Sequence, residues 1–233
     1  MRAYFEAREA PARLNRCRQP VSIAPMAERP PLILRREPPL AWLVVNRPEA
    51  RNALNAAVWR DLASSVRTVA ADGDVRVIIL RGAGDQAFLS GADISEFGAL
   101  RANAAMTAEY DALSTEAWQA LGAAPQPVLA MINGLCFGGG VAVALACDLR
   151  FAATHARFAV PAARLGLSYP FAHGVERLVR VVGPTAAADI LLSARVIDAA
   201  EALRIGLVNR SSPVPSWRKP PGRMPRRWRR ERR

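Results

Sequence analysis

The sequence predicts an α/β fold, and three observations predict it. Short apolar runs stand at Ala41–Asn46, Val75–Leu80 and Val128–Ile132. Segments with apolar residues at helical spacing lie between them. The strand-like and helix-like segments alternate along the chain, the pattern of an α/β arrangement.

Taken in order, Ala41–Asn46 (AWLVVN) is short and apolar, hence a strand. Asn55 is placed to cap a helix in which Val58, Leu62, Val66 and Val69 share one face. Asp72-Gly73-Asp74 stops that helix. Val75–Leu80 (VRVIIL) is rich in β-branched residues and ends at Arg81-Gly82, a second strand. Ala87–Gly91 leads into a turn, and a helix is expected over residues 106–121. Val128–Ile132 (VLAMI) reads as a buried strand. Gly138-Gly139-Gly140 opens an apolar helix that ends near Cys147. Leu149–Ala152 and Arg157–Ala159 read as short strands. Helices are expected over residues 175–182, 185–192 and 199–205. No internal repeat is visible at the level of residues.

The chain has 233 residues and a formal charge of +12. Residues 1–40 hold eight Arg and four Glu, and residues 211–233 hold nine basic groups and one Glu. The remaining 15 basic and 15 acidic residues cancel, so the excess lies in the two ends. That excludes a basic globular nucleic-acid-binding domain. Residues 1–40 carry seven prolines and no sustained period, and read as an extension or linker, with Met26 an alternative start. The last 23 residues carry five prolines, Trp217 and Trp228, and should not fold alone. They are either a basic arm with non-specific affinity for nucleic acid or anionic lipid, or a solvated appendage.

Cys17, Cys136 and Cys147 cannot build a disulfide framework, and no C-x-x-C occurs. With only His155 and His173 besides, no metal site is expected. A reduced, cytoplasmic protein is the expectation. The uncharged run Ala117–Cys147 is long enough for a bilayer, but Gly122, Pro125, Gln126, Pro127, Asn133 and the glycines interrupt it. No membrane span and no secretory signal are expected.

The glycine triplet carries the first chemical signal. A helix N-terminus presents unpaired N–H groups and the positive end of the helix dipole. It suits an anion, or an oxygen that becomes anionic, although a tight turn with close helix packing explains the glycines equally well. Neither a P-loop nor G-x-G-x-x-G is present. Ser90 has neither a G-x-S-x-G frame nor an assigned histidine, so no catalytic triad is expected.

Five motifs then follow in order: NRPEARNALN (residues 46–55), AFLSGADI (87–94), INGLCFGGG (132–140), ALACDLRFA (144–152) and AAEALRIGLVNRS (199–211). Together they resemble the enoyl-CoA hydratase/isomerase family, the crotonases. The resemblance spans residues 32–212, leaving 1–31 as an extension and 213–233 as a basic tail. It implies a crotonase-like spiral of ββα units, with short buried strands and flanking helices. It implies trimers or dimers of trimers, a coenzyme A thioester as substrate and no permanently bound cofactor. It also implies that the backbone N–H groups of Ala92 and Gly139 hold the thioester oxygen. Ala50, Arg51, Asn52, Asp93, Ile94 and Gly138 match the stretches along the coenzyme A path, where Arg51 is either a phosphate contact or a solvated surface residue.

Two departures qualify the resemblance. Family hydratases carry one glutamate two residues after the glycine triplet and one after the proline of F-x-x-P. Here those positions hold Ala142 and Ala162. An alanine moves no proton, so the usual hydratase mechanism lacks its acid and base. Tyr169 and His173, in a loop that is one residue longer than the family pattern, are the remaining acid/base candidates. A non-catalytic acyl-CoA-binding homologue is therefore the alternative. The second departure is the C-terminus, where the family continues into further helices and this chain turns arginine-rich.

Overall fold

The computed structural model describes residues 29–96, 103–166, 169 and 172–213, with the side chains of residues 172 and 173 outside that set. Among the described residues ten strands form two sheets. The larger has the order β1 (Leu32–Glu37), β2 (Leu40–Val45), β3 (Val77–Gly82), β5 (Val128–Ile132), β7 (Leu149–Ala153), β10 (Arg210–Ser212). The smaller has the order β4 (Ala87–Leu89), β6 (Leu135–Phe137), β8 (Arg157–Ala159), β9 (Ile197–Asp198).

The two sheets grow together. Each of three successive strand pairs, β3–β4, β5–β6 and β7–β8, gives its first strand to the larger sheet and its second to the smaller. All neighbours within each set are parallel. A helix follows each pair: α1 (Ala56–Ala70) precedes the first, and α2 (Ala104–Ala123), α3 (Gly139–Ala146) and α4 (Ala172–Ser193) follow the three pairs. α5 (Ala199–Arg204) lies between β9 and β10. This is the spiral of ββα units that the resemblance implies.

The reading of residues 32–40 as linker is corrected. Leu32–Glu37 forms β1, antiparallel to β2 with Leu34 opposite Leu43. Its second half, Arg35-Arg36-Glu37, is exposed, which hides the strand in the sequence. Ala87–Leu89 is likewise a strand rather than the approach to a turn. The two helices expected over 175–182 and 185–192 are both present within α4, separated at Gly183, which takes φ 79° and ψ 163° before Pro184. The tail from residue 214 lies outside the described residues.

Local chemistry explains the helices. The Asn55 side chain accepts from the Val58 N–H at 2.9 Å, and Val58, Leu62, Val66 and Val69 are buried as their spacing requires. Asn103 caps α2 by accepting from Met106 at 2.9 Å, and Asp198 caps α5 by accepting from Glu201 at 2.8 Å. In α3 all eight residues are buried, as an all-apolar helix must be.

The core follows strand alternation. Ile78 and Leu80, with Ala130 and Ile132, face the main core shared with Phe88, Leu89, Cys136 and Phe158 of the smaller sheet. Val77, Ile79, Leu129 and Met131 point to the opposite face and pack with Trp42 and Phe151. Each fully buried Leu or Ile contributes about 1.5–3 kcal/mol relative to exposure. No described helix is long and apolar enough to cross a membrane.

Candidate active site

β4 and β6 are parallel neighbours, so their C-terminal ends open on the same side of the smaller sheet. The loop after β4 is Ser90-Gly91-Ala92-Asp93, and the turn after β6 is Gly138-Gly139 at the start of α3. The two touch. A methyl group added to Gly91 would lie 3.8 Å from the Gly139 nitrogen, and one on Gly138 would lie 3.9 Å from the Gly91 Cα.

Each loop leaves one N–H without a protein acceptor among the described residues. On the β4 side, Leu54 N–H donates to the Gly91 oxygen at 2.8 Å, and Asp93 N–H donates to the Leu54 oxygen at 3.0 Å. These two bonds make an isolated parallel bridge between Leu54 and Ala92. Because peptide groups alternate along an extended chain, the Ala92 N–H points away from Leu54. On the β6 side, Gly138 takes φ 50° and ψ −117°, a conformation open to glycine. Its N–H donates to the Ala159 oxygen at 2.8 Å, which ties the turn to β8. Gly139 is then the first residue of α3, with an N–H that helix geometry leaves unpaired. Among the described residues, neither the Ala92 nor the Gly139 N–H has a protein acceptor.

The third residue of the triplet serves packing. A methyl on Gly140 would sit 2.3 Å from the Leu89 oxygen and 2.9 Å from the Leu89 Cβ. Only glycine lets α3 lie this close to β4.

A polar clamp holds the loops from the side of residues 46–55. Arg47 donates to the Ala53 oxygen at 2.8 Å and pairs with Asp93 at 2.8 Å. Asn52 is 1% exposed, accepts from the Arg47 N–H at 3.1 Å, and donates to the oxygens of Ala83 and Ala87 at 2.9 and 2.8 Å. Tyr110 of α2 donates to the Leu54 oxygen at 3.1 Å and accepts from the Trp59 indole at 3.1 Å. Burial pushes the Asp93 carboxyl up, but hydrogen bonds from Ser95 and the Arg47 guanidinium outweigh it and hold the group below the usual carboxylate range.

The residues singled out in the sequence fall as follows. Ala92, Gly138 and Gly139 are brought together. Ala50 and Arg51 border the same loop; Arg51 is exposed at φ 51°, and the Ser90 hydroxyl donates to the Ala50 oxygen at 3.4 Å. Asp93 turns its carboxylate to Arg47 and Ser95. Ile94 opens a short 3-10 helix and is 65% exposed. Ala142 is fully buried in α3, and Ala162 is partly buried in the 3-10 turn Pro161–Leu165. Tyr169 donates to the Gly138 oxygen at 2.9 Å. His173 lies in the first turn of α4, its side chain outside the described residues, and His155 is exposed. Arg47, Asn52 and Tyr110 were not recognised as loop-holding residues. Arg47 and Asn52 sit inside a motif that flagged the segment, whereas Tyr110 carries no local signal.

Cys136 and Cys147 are free and buried; burial pushes both thiols up, Cys147 to about 12. Such thiols are inert packing groups. Among the described residues no group of three or more His, Cys, Asp or Glu could hold a metal ion.

The comparisons with known proteins bear on the family and the fold. The sequence model of the enoyl-CoA hydratase/isomerase family matches residues 36–218. A crotonyl-CoA hydratase of Syntrophomonas wolfei is 42% identical over 179 residues, covering 77% of this chain and 68% of that protein. A short-chain-enoyl-CoA hydratase of Clostridium acetobutylicum is 38% identical, covering 77% and 67%. Among solved structures, an enoyl-CoA hydratase/carnithine racemase from Magnetospirillum magneticum superposes with a TM-score of 0.76 at 43% identity, covering 80% of this chain and 69% of that one.

Proposed function

The chain belongs to the enoyl-CoA hydratase/isomerase family, and from that premise we propose that it is an enzyme acting on an acyl-CoA thioester. In this reading the Ala92 and Gly139 N–H groups hold the thioester oxygen, and coenzyme A arrives as part of the substrate. The observation that carries it is the pairing of two N–H groups without a protein acceptor on touching loops, one placed by the Leu54 bridge and one by the Gly138 turn.

The chemistry follows from charge. Removing or adding a proton at the carbon next to a thioester passes through an enolate-like oxygen. Donors already aimed at that oxygen stabilise the developing charge without reorganising, and one such donor is typically worth about 3–4 kcal/mol. Both are backbone groups, so alanine and glycine suffice. Asp93 and Ile94, with Gly138, are assigned to the pantetheine path, and Ala50 and Arg51 to the nucleotide end. The proposal includes assembly into homo-oligomers, read by sedimentation, as the family resemblance implies.

Ala142 and Ala162 favour a second reading. Without acids at those positions the protein is a non-catalytic acyl-CoA binder that keeps the pocket and lacks the proton transfer. Turnover of a panel of enoyl-CoA thioesters decides between them, followed as loss of conjugated absorbance with product mass identified. Turnover of any member supports the enzyme. Tight binding without turnover supports the second reading, and neither binding nor turnover refutes both.

A further inference from the structure

Tyr169 is an acid/base candidate by sequence, but its hydroxyl proton has a destination inside the protein. Oη lies 2.9 Å from the Gly138 oxygen and donates to it. That carbonyl belongs to the same peptide unit as the Gly139 N–H. A trans peptide is planar with its C=O and N–H opposed, so whatever fixes the carbonyl fixes the direction of the N–H. Within α3 the carbonyl also accepts from Val141 at 3.0 Å and Ala142 at 3.4 Å. Those bonds come from the helix itself. The phenol comes from a separate segment, 31 residues away, and ties the turn to it. A donor on a carbonyl also withdraws electron density from its amide nitrogen, and linked hydrogen bonds strengthen one another.

We propose that Tyr169 is a positioning residue of the thioester site: its hydroxyl pins and polarises the Gly138–Gly139 peptide unit, so that the Gly139 N–H is aimed and strengthened toward the substrate oxygen. The inference rests on the proposed role of Gly139. In this role Tyr169 acts through a peptide. Its setting suits that role. Burial, and then the neighbouring Cys136 thiol, push the phenol well up against the opposing hydrogen bond from the Ala142 backbone. The proton stays on oxygen at neutral pH, as a donor to a carbonyl requires and a general base does not allow.

Tyr169→Phe in the full chain removes the hydroxyl and keeps the ring. In the ligand-free protein, the Gly139 amide resonance should move upfield in both proton and nitrogen dimensions, while amides of β2 stay in place. Against enoyl-CoA substrates, kcat should fall about fivefold, the net worth of one hydrogen bond, with KM changed less than twofold. Replacing all tyrosines by 3-fluorotyrosine, a stronger donor, should move the same resonance downfield; this arm decides the matter if the phenylalanine variant does not fold. An unmoved Gly139 amide overturns the proposal, as does a raised KM with unchanged kcat. If the wild type binds no thioester, the function proposed above fails, and the amide shift still decides whether Tyr169 controls this peptide.

Discussion

Leu54 and Ala92 are joined by a single parallel bridge, in which Leu54 N–H donates to the Gly91 oxygen at 2.8 Å and Asp93 N–H returns to the Leu54 oxygen at 3.0 Å. Those bonds occupy the peptide groups on either side of Ala92 and leave its own N–H facing the opposite way. The bridge connects the start of α1 to the loop after β4, so a two-bond contact between distant segments sets the direction of one proposed donor.

The Arg47–Asp93 pair backs this bridge, and it has a pH signature. The Asp93 carboxyl is depressed in the folded protein, so its contribution to stability is present above the ordinary value of 3.8 and is lost as pH falls through the lower folded value. Asp93→Asn should therefore lower stability near neutral pH and flatten the loss below about pH 4. Urea unfolding of both proteins across the acid range checks it. Parallel acid limbs would show that the ion pair contributes nothing.

Gly140→Ala should damage the site without touching any proposed donor. Its Cβ would fall 2.3 Å from the Leu89 oxygen, a backbone atom that cannot swing aside. Overpacking of this kind typically costs about 1–3 kcal/mol, and here the relief available is to push α3 off β4. The expected result is a lower Tm together with loss of thioester binding, because Gly139 moves with the helix. Retained affinity in a destabilised protein would mean that the α3 start and the ligand are uncoupled.

Restoring carboxylates at both alanine positions should raise any hydration rate, by up to about 10²-fold if the geometry is regained. The two sites are not equivalent. Ala142 is fully buried, so Ala142→Glu alone should lower stability by burying a carboxyl, whereas the partly buried Ala162 tolerates Ala162→Glu better. Crotonyl-CoA hydration by the single and double variants is the measurement. A fast wild-type rate, indifferent to His173→Ala, would place the acid and base elsewhere.

The Arg-rich C-terminus should govern polyanion binding alone. Its residues 211–233 carry nine basic groups and one acid, while residues 41–210 are balanced. Deleting residues 213–233 should abolish heparin retention, which in the intact chain falls steeply with salt. Acyl-CoA affinity should persist. Loss of that affinity on deletion would show that the segment contributes to the pocket.

The sequence disclosed the elements with long periods and the peptide segments of the site. Asn55, Val58, Leu62, Val66 and Val69 announce α1 because capping and helical spacing are local signals. The strands β4 and β6 are three residues each, too short to show an alternation, and the larger sheet hides its repeat because each ββα unit fills it with different side chains. The glycine triplet marked a helix start with unpaired N–H groups, whereas Ala92 as a candidate donor followed only from the family pattern, since a backbone donor leaves no trace in residue type. Asn52 and Tyr110 were missed as loop-holding residues because their bonds reach across 31 to 56 positions of sequence. Tyr169 was legible as a hydroxyl near the site, but its partner, a backbone oxygen, was not.

The most direct test of the central claim is the infrared carbonyl band of crotonyl-CoA labelled with carbon-13 at C1, read as a difference spectrum on binding. Two aimed N–H donors polarise the carbonyl, so the bound band should fall to lower frequency than in water. Most of that fall should vanish in Gly139→Pro, which removes one donor at a helix position where proline is tolerated. A thioester that binds with an unshifted band, or one shifted equally in the proline variant, would contradict the assignment of Ala92 and Gly139.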